Sequence, residues 1–206
     1  DRDSKTLKQI ACIRNDFTEN FGIPRQSGLA EEFKSIIVFE PEFAVKEAFR
    51  GLEDFSHLWL IWGFSENKNY KWSPTVRPPR LGGNTRMGVF ATRSPYRPNA
   101  LGLSCVRIVS IKLSGPESPQ IEVAGADLLD GTPIYDIKPY LAFTDSRPNA
   151  RGGFADLHKD YRLQVVISET ISSYFPEDKL PSLLEFLAND PRPAYHKDPD
   201  RIYGLS

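Results

Sequence analysis

The chain has 206 residues, of which 40% are hydrophobic and 12% aromatic, so it is long enough to bury a sizeable core. Its 26 Lys and Arg residues nearly balance its 27 Asp and Glu residues, which excludes a protein that is uniformly basic or acidic. No apolar run reaches the length of a membrane-spanning helix, and the charged N-terminus is not typical of a secretory signal. We therefore expect a cytoplasmic protein without a membrane segment.

Segments rich in β-branched and aromatic residues recur along the chain, separated by turns that contain Gly and Pro. The predicted strands are residues 7–14, 34–40, 55–64, 87–91, 103–113, 120–129 and 161–168. The β-α-β alternation of a parallel sheet is missing. The pattern therefore favours a mainly β protein, α+β overall, built on a small closed antiparallel β-barrel of about six to seven strands.

The last third of the chain has a different pattern, which predicts a division into domains. We expect the barrel domain in residues 1–145, a linker rich in Gly, Asn and Arg in residues 146–160, and a small C-terminal α+β appendage in residues 161–206. A helix is predicted at residues 178–189, because Leu180, Leu183, Leu184 and Leu187 form one stripe and Pro181 stands in the first turn.

Positive charge is concentrated in residues 67–116, which contain no Asp or Glu. Removing the nine basic residues of this segment leaves 17 basic and 27 acidic residues elsewhere, a net charge of −10. The nine are Lys68, Lys71, Arg77, Arg80, Arg86, Arg93, Arg97, Arg107 and Lys112. Such a local field attracts and orients a polyanion. Arginine also suits bidentate phosphate contacts, and the neighbouring Pro and Gly residues lower the entropy lost on binding.

Several familiar catalytic and metal-binding motifs are missing. No G-x-G-x-x-G follows a strand, no Gly-Lys-Ser/Thr completes a phosphate loop, and no G-x-S-x-G occurs. His57, His158 and His196 have no metal-ligand spacing, so no metal is expected. Cys12 and Cys105 lie within predicted strands and are interpreted as buried free thiols, as in a cytoplasmic protein.

Two polar segments could carry chemistry. The loop after the fourth predicted strand offers Arg93, Ser94, Arg97 and Asn99 as donors to a polar ligand, but it could equally be a tight loop whose side chains cap the backbone. Residues 127–140 place three carboxylates beside a lysine and two tyrosines. An Asp-Gly turn with a surface Lys–Asp pair explains this second segment equally well.

Single aromatic residues and histidines carry weaker signals. His57 lies between apolar residues, where a strand histidine is more often a satisfied core residue. The aromatic residues from Trp59 to Trp72 are most simply core and rim residues. Tyr70 or Trp72, beside lysines, could nevertheless stack on a base.

Six strings of residues in fixed order resemble a known family. They are Pro24-Arg-Gln-Ser-Gly28, Arg50-Gly-Leu-Glu-Asp-Phe-Ser-His-Leu-Trp59, Arg77-Pro-Pro-Arg-Leu-Gly-Gly83, Gly88-Val-Phe-Ala-Thr-Arg-Ser-Pro-Tyr-Arg-Pro-Asn99, Asp127-Leu-Leu-Asp-Gly-Thr-Pro133 and Asp136-Ile-Lys-Pro-Tyr140. Together they resemble the TsaA-like (TrmO) family of β-barrel methyltransferases, densely over residues 7–145 and again at 190–195. Bacterial members usually run further, so the resemblance implies that the chain is cut short after Ser206.

The resemblance implies an activity, a cofactor and an assembly. The activity is methyl transfer from S-adenosylmethionine to N6 of threonylcarbamoyladenosine at position 37, beside the anticodon, of a threonine tRNA. The implied assembly is a homodimer. By matching motifs, the cofactor would be held by Pro24, Arg25, Gln26, His57, Leu58, Arg93, Leu103, Asp127, Leu128, Leu129 and Asp130.

The chemistry of this reaction suggests roles for the remaining residues. An acylated N6 keeps one acidic proton, which a modest general base could remove. We hypothesise that Asp136, with Lys138 and Tyr140, lies near the acceptor, and that Asp130 lies near the donor. Arginines do not suit a sulfonium cation, so most are assigned to tRNA phosphates. The predicted RNA contacts are Arg77, Arg80, Arg86 and Arg97.

Two other classes of function compete with methyl transfer. A non-enzymatic RNA-binding barrel would need only the arginine-rich loop and exposed aromatics, and would bind tRNA without a cofactor. An enzyme for a small anionic substrate, such as a phosphoester, could use the same arginines. The lack of a metal site or an evident nucleophile in the sequence argues against this last class.

Overall fold

A closed barrel of six antiparallel strands forms the centre of the protein. The computed structural model describes residues 6–15, 34–64, 71–78, 85–158, 164–175 and 180–188. The barrel strands are β1 (Ala11–Arg14), β2 (Lys34–Phe39), β3 (His57–Gly63), β6 (Leu101–Lys112), β7 (Gln120–Ala124) and β8 (Pro133–Pro139). Their order around the barrel is β1-β2-β7-β6-β3-β8, and β8 pairs with β1 to close it. Closure leaves these strands no free edge.

Alternation along the strands builds the core. In β3, Leu58 and Leu60 are fully buried, whereas Trp59 and Ile61, which alternate with them, are only half-buried and face outward. Inward residues of the other strands complete the cluster, among them Ile13, Ile37 and Ile121. Successive strand residues point to opposite faces, so the HLWLIWG sequence of β3 supplies the core and the outer surface at once.

A small lobe interrupts the barrel between β3 and β6. It contains a two-stranded antiparallel sheet of β4 (Thr75–Val76) and β5 (Met87–Gly88). A 3-10 turn at Val89–Ala91 follows β5. The backbone N–H of Ser73 donates to the carbonyl of Tyr96, at 3.0 Å, and ties the start of the lobe to its end. We call the described residues 71–78 and 85–100 the arginine lobe.

Three strand predictions need correction. The predicted strand 87–91 stops at Gly88, because the Val89 carbonyl accepts bonds from Thr92 and Arg97 instead of from a neighbouring strand. Residues 164–168 of the predicted strand 161–168 have no regular structure and no partner strand among the described residues, and 161–163 lie outside them. Strand β8 was missed, because its two prolines and its charged residues lower its β propensity.

The C-terminal part adds short helices. They are α1 (Ala142–Asp145), α2 (Glu169–Ser172) and α3 (Leu180–Ala188). Helix α3 was expected from the leucine stripe, and its four leucines are half-buried. The predicted linker contains a 3-10 turn at Gly153–His158. Across the described ranges, no helix is long and apolar enough to cross a membrane. The domain boundaries stay a prediction.

The topology gathers the interrupting segments at one end of the barrel, here called the site rim. Strands β1, β3 and β7 end there, and β2, β6 and β8 begin there, as the antiparallel registers require. The arginine lobe leaves β3 and returns into β6 at this rim, and residues 125–132 connect β7 to β8 across it. The rim is therefore where a ligand site made of loops would form.

Candidate functional site

A relay of polar side chains links two strands and a loop at the site rim. The indole Nε1 of Trp62 donates to the hydroxyl of Ser104, at 3.0 Å, and this hydroxyl donates to the carboxylate of Asp127, at 3.4 Å. Burial raises the pKa of Asp127, and the Ser104 bond and the Arg93 charge only partly oppose this effect. Arg93 comes from the arginine lobe, so the relay joins that lobe electrostatically to the loop after β7.

The packing of two aromatic rings, Trp62 and Tyr135, depends on one close-packed glycine each. Gly102 of β6 is the cross-strand partner of Trp62, and a Cβ atom added at Gly102 would overlap the Trp62 ring. A Cβ atom at Gly63 would meet the ring of Tyr135, with 2.7 Å to Cε2. The register between β3 and β8 is irregular between Ile61 and Trp62. The missing side chain at Gly102 leaves the space that the first donor of the relay occupies.

A second anchor holds the predicted cofactor turn 127–130. The backbone N–H of Asn15, just after β1, donates to the carboxylate of Asp130, at 3.0 Å. The Asn15 amide donates to the carbonyl of Leu128, at 2.8 Å, and to the buried hydroxyl of Ser35, at 3.0 Å. The turn is therefore fixed to the ends of β1 and β2 before any ligand binds.

The three predicted catalytic residues lie on β8 and just after it. Asp136 pairs with Ile61 of β3, which pairs on its other side with Leu103 of β6. Residues opposite one another share a face, so Asp136 and the predicted cofactor residue Leu103 lie on the outer surface, roughly 10 Å apart across two strand spacings. One Asp136 carboxylate oxygen lies 3.2 Å from Lys138 Nζ, and the other accepts the N–H of Ile137.

The third predicted catalytic residue, Tyr140, packs against aromatic rings of β3. Its ring centroid lies 6.1 Å from that of His57 and 5.8 Å from that of Trp59. Its backbone N–H donates to the carbonyl of His57, at 3.0 Å. The Trp59 indole donates in turn to Asp145 of α1, at 2.8 Å. The Leu141 N–H and this indole hold the pKa of Asp145 below its usual range.

The described residues of the predicted cofactor set lie at different levels of the barrel. Arg93, Leu103 and the 127–130 turn lie at the rim, but His57 lies at the other end of β3, roughly 13 Å along the strand from the level of Leu103. The side chains of Leu58 and Leu128 are buried in the barrel, which leaves their backbone atoms for a ligand. Pro24, Arg25 and Gln26 lie outside the described residues.

The predicted RNA-binding arginines differ in their surroundings. Arg77 is exposed, and Arg86 is exposed with a bond from Nη1 to the Thr75 hydroxyl. Arg97 instead uses Nη1 to bond the carbonyls of Val89 and Thr92, at 3.0 and 2.6 Å, which fixes the fold of the lobe. Arg80 lies outside the described residues.

Sequence reasoning missed the residues that position the others. Trp62, Ser104 and Asn15 build the rim, and Trp59 with Asp145 supports the outer face. Their hydrogen-bond partners in other segments are 20 to 115 residues distant in the chain, so local patterns gave no signal. Within the described ranges, no group of three or more His, Cys, Asp or Glu residues is placed to hold a metal ion.

Comparison with known proteins gives the family. The model of the tRNA-methyltransferase O N-terminal domain matches residues 12–146, which span all six barrel strands. The chain belongs to the tRNA-methyltransferase O family. This membership confirms the family predicted from the six strings, and with it the prediction of a tRNA-modifying methyltransferase.

Relatives of this family match most of the chain. The tRNA (adenine(37)-N6)-methyltransferase of Escherichia coli K12 is 41% identical over 197 residues, covering 93% of this chain and 83% of the relative. A putative S-adenosylmethionine-dependent methyltransferase of Pseudomonas aeruginosa is 42% identical, covering 97% of this chain and 87% of the relative. A crystal structure of TrmO from Pseudomonas aeruginosa superposes with a TM-score of 0.77 at 33% identity, covering 100% and 87% of the two chains. The predicted closed barrel is thereby confirmed.

Proposed function

We propose that this protein transfers a methyl group from S-adenosylmethionine to N6 of the adenosine at position 37 of a tRNA. The finer proposal is that the acceptor is threonylcarbamoyladenosine in a threonine tRNA, converted from t6A37 to m6t6A37. One observation carries the assignment: the 127–130 turn, held by Ser104 and Asn15, lies at the same rim where the arginine lobe leaves β3 and enters β6. A cofactor site and a polyanion-binding surface are therefore adjacent.

The rim residues fit S-adenosylmethionine, which would supply an activated methyl group. The cofactor has ribose hydroxyls, an adenine ring and a cationic sulfur. Carboxylates suit the hydroxyls and the cation, and Asp127 and Asp130 are both fixed in place at this rim. Leu103 is 53% exposed on the outer face of β6, next in sequence to the Ser104 that bonds Asp127, and offers apolar surface for the adenine. The pre-set Asn15–Asp130 bond lowers the ordering cost of binding.

Asp136 is the proposed general base for the N6 proton. It lies on the outer face in the same cross-strand row as Leu103, and its side chain is 47% exposed and accessible to a substrate. Lys138 at 3.2 Å orients the carboxylate, and Tyr140 closes the same face beside His57. Asp136→Asn should leave cofactor binding intact and abolish most turnover. Full turnover in this variant would remove Asp136 from the mechanism.

We infer that the working enzyme is a homodimer. His57 stands roughly 13 Å along the strand from the level of Leu103 on the outer face of the barrel, and a twofold pairing that brings His57 of one copy to the rim of another would complete the site. Two inactive variants, His57→Ala and Arg93→Ala, co-expressed with different tags should form a hybrid that regains part of the activity. A fully active monomer, or an inactive hybrid, would contradict the shared site.

The first experiment is calorimetric titration with S-adenosylmethionine and S-adenosylhomocysteine. Saturable binding of both, weakened by Arg93→Ala, is expected. Nucleoside mass spectrometry of tRNA from cells with and without the threonylcarbamoyl group should then show methylation only of the modified substrate. Methylation of both would leave the enzyme assignment but contradict the finer substrate proposal.

A non-enzymatic RNA-binding barrel is the alternative. It predicts tRNA binding without a response to the cofactor and an unchanged nucleoside mass. The free thiols of Cys12 and Cys105 are compatible with either protein in the cytoplasm, where we propose that it works.

A further inference from the structure

The arginine lobe carries exposed aromatic rings that the core does not use. Phe90 is 74% exposed, Trp72 is 54% exposed and Tyr96 is 44% exposed. Exposed rings of this size forfeit the free energy that burial would give, so a group of them on one small lobe marks an interaction surface. Two backbone hydrogen bonds hold together the segments that carry these rings. The N–H of Ser73 donates to the carbonyl of Tyr96, and the N–H of Val89 donates to the carbonyl of Pro74.

The turn that carries Phe90 is held rigidly. Val89 is buried, its N–H donates to the carbonyl of Pro74, and its carbonyl accepts from the Thr92 hydroxyl at 2.8 Å and from Arg97 at 3.0 Å. A second Arg97 bond reaches the Thr92 carbonyl. The lobe therefore fixes the backbone on both sides of Phe90 while leaving its ring in solvent. A pre-fixed ring loses little entropy when it binds a ligand.

The Phe90 ring also has a cationic neighbour. The guanidinium carbon of Arg97 lies 5.9 Å from the ring centroid, within the range of a cation–π contact. The guanidinium is itself hydrogen-bonded to two carbonyls, so its position is fixed and its contact restrains the Phe90 ring. With most of its surface still exposed, the ring remains available for a flat partner.

The charge around these rings selects the partner. Residues 67–116 have nine basic and no acidic residues, and Arg77, Arg86 and Arg93 are exposed on the described part of the lobe. Flat aromatic faces beside cations match a polyanion that displays unpaired rings. Paired bases in a duplex hide their faces, so a single-stranded loop fits better than a helical stem.

We propose that Phe90, assisted by Trp72, is a stacking site for unpaired bases of an RNA loop, while the surrounding arginines bind its phosphates. This inference rests on the proposed function in one respect: the RNA is taken to be the loop that contains the methylated adenosine. Stacking gives affinity without reading base identity, so the site would position the loop rather than select its sequence.

The test compares Phe90→Ala, Phe90→Leu and Phe90→Tyr on a single-stranded oligoribonucleotide that contains 2-aminopurine. Losing one stacked base should weaken binding about tenfold for the Ala and Leu variants and leave the Tyr variant like the wild type. The loss should be equal at every salt concentration, because no phosphate contact is removed. Quenching of 2-aminopurine, which reports stacking, should fall in parallel.

The matched control is Tyr174→Ala, which removes a ring that is 80% exposed but lies outside the lobe. It should bind like the wild type, and thermal melting should show that all variants are folded. If Phe90→Leu bound RNA like the wild type, the contact would be simple apolar contact and the stacking proposal would be wrong. Unchanged binding by Phe90→Ala, or an equal loss in Tyr174→Ala, would overturn the proposal.

The same preparations separate this inference from the proposed function. Methylation by the wild type together with an unchanged KM for tRNA in Phe90→Ala would refute the stacking site alone. Phe90-dependent RNA binding by a wild-type protein that neither binds S-adenosylmethionine nor methylates tRNA would refute the methyltransferase proposal alone.

Discussion

The relay from Trp62 through Ser104 to Asp127 shows how single residues shape this site. Each partner comes from a different segment, and each has a role only because the barrel brings the segments together. Ser104 is buried and Asp127 is shielded from water, so neither group can exchange its partner for solvent without cost. Two predictions follow from this arrangement.

Gly102→Ala should disturb the relay at its start. The added Cβ would overlap the Trp62 ring, so we expect a loss of about 1–3 kcal/mol in the free energy of unfolding and weaker cofactor binding. Gly88→Ala is the matched control, because no atom lies within 4 Å of its added Cβ, and it should change stability by less than about 0.5 kcal/mol. Chemical denaturation and calorimetry measure both effects; equal behaviour of the two variants would contradict the packing argument.

Asp127→Asn should stabilise the protein while impairing its function. Burial raises the pKa of Asp127, so its charged form weakens the fold above the folded-state pKa, and this penalty fades as the pH falls and the group protonates. Asparagine keeps an acceptor for Ser104 without the charge. We expect a higher melting temperature at neutral pH, a shrinking difference toward acid pH, and weaker S-adenosylmethionine binding. If Asp127→Asn melted at a lower temperature than the wild type at neutral pH, the charged carboxylate would be stabilised by a partner strong enough to outweigh the cost of its burial.

The strands of the barrel combine a stabilising inner face with an outer face that carries residues of the proposed site. Leu60→Ala on β3 should cost about 2–5 kcal/mol, because the side chain is fully buried in the core. Leu103→Ala on β6 should cost less than about 0.5 kcal/mol, because that side chain is 53% exposed, yet it should weaken cofactor binding. Urea unfolding and calorimetry distinguish the two roles; a large stability loss in Leu103→Ala would place that residue in the core.

The junction of β8 and α1 should depend on pH. The Leu141 N–H and the Trp59 indole lower the pKa of Asp145, so its stabilising effect is present above the unfolded-state pKa and is lost as the pH falls through the folded-state value. Asp145→Ala should lower the melting temperature at neutral pH and converge with the wild type in acid. A pH-independent difference between the two would mean that the charge is irrelevant to this junction.

The segregation of charge along the chain governs how the entire protein meets its substrate. Arg77→Ala and Arg86→Ala should each lower the salt slope of tRNA binding by about one, because each removes one phosphate contact. Lys8→Ala, outside the basic segment and paired with Glu42, should leave the slope unchanged. Filter binding across a salt series measures this, and equal slopes in all variants would take the lobe out of the interface.

Arg97→Ala should behave differently from the other lobe arginines. Its guanidinium is tied to the carbonyls of Val89 and Thr92, so its loss should loosen the turn that carries Phe90. We expect faster amide exchange in the lobe and a general loss of RNA affinity. A clean reduction of the salt slope with unchanged exchange would restore the phosphate role predicted for Arg97.

The sequence was sufficient for the barrel class, for five of its strands and for the family, because alternating apolar residues and ordered motifs are local signals. It singled out the 127–130 turn and the segment from Asp136 to Tyr140 as candidate site residues, although it extended the preceding strand to residue 129 and β7 ends at Ala124. Strand β8 was missed because its prolines and its outward-facing charged residues lower the β propensity of the segment. The strand expected at 87–91 became a turn because distant groups of the lobe occupy its backbone bonds.

Only the tertiary structure decided which residues meet. The antiparallel registers place Asp136, Ile61 and Leu103 in one row, and the fold brings Trp62 to Ser104 and Ser104 to Asp127, although these residues are far apart in the chain. The registers also place His57 in one row with Arg107 and Ala124, which no motif order could reveal. Sequence patterns record the face that a residue takes on its own strand. Register and closure of the barrel, fixed by packing across the core, decide which of those faces become neighbours.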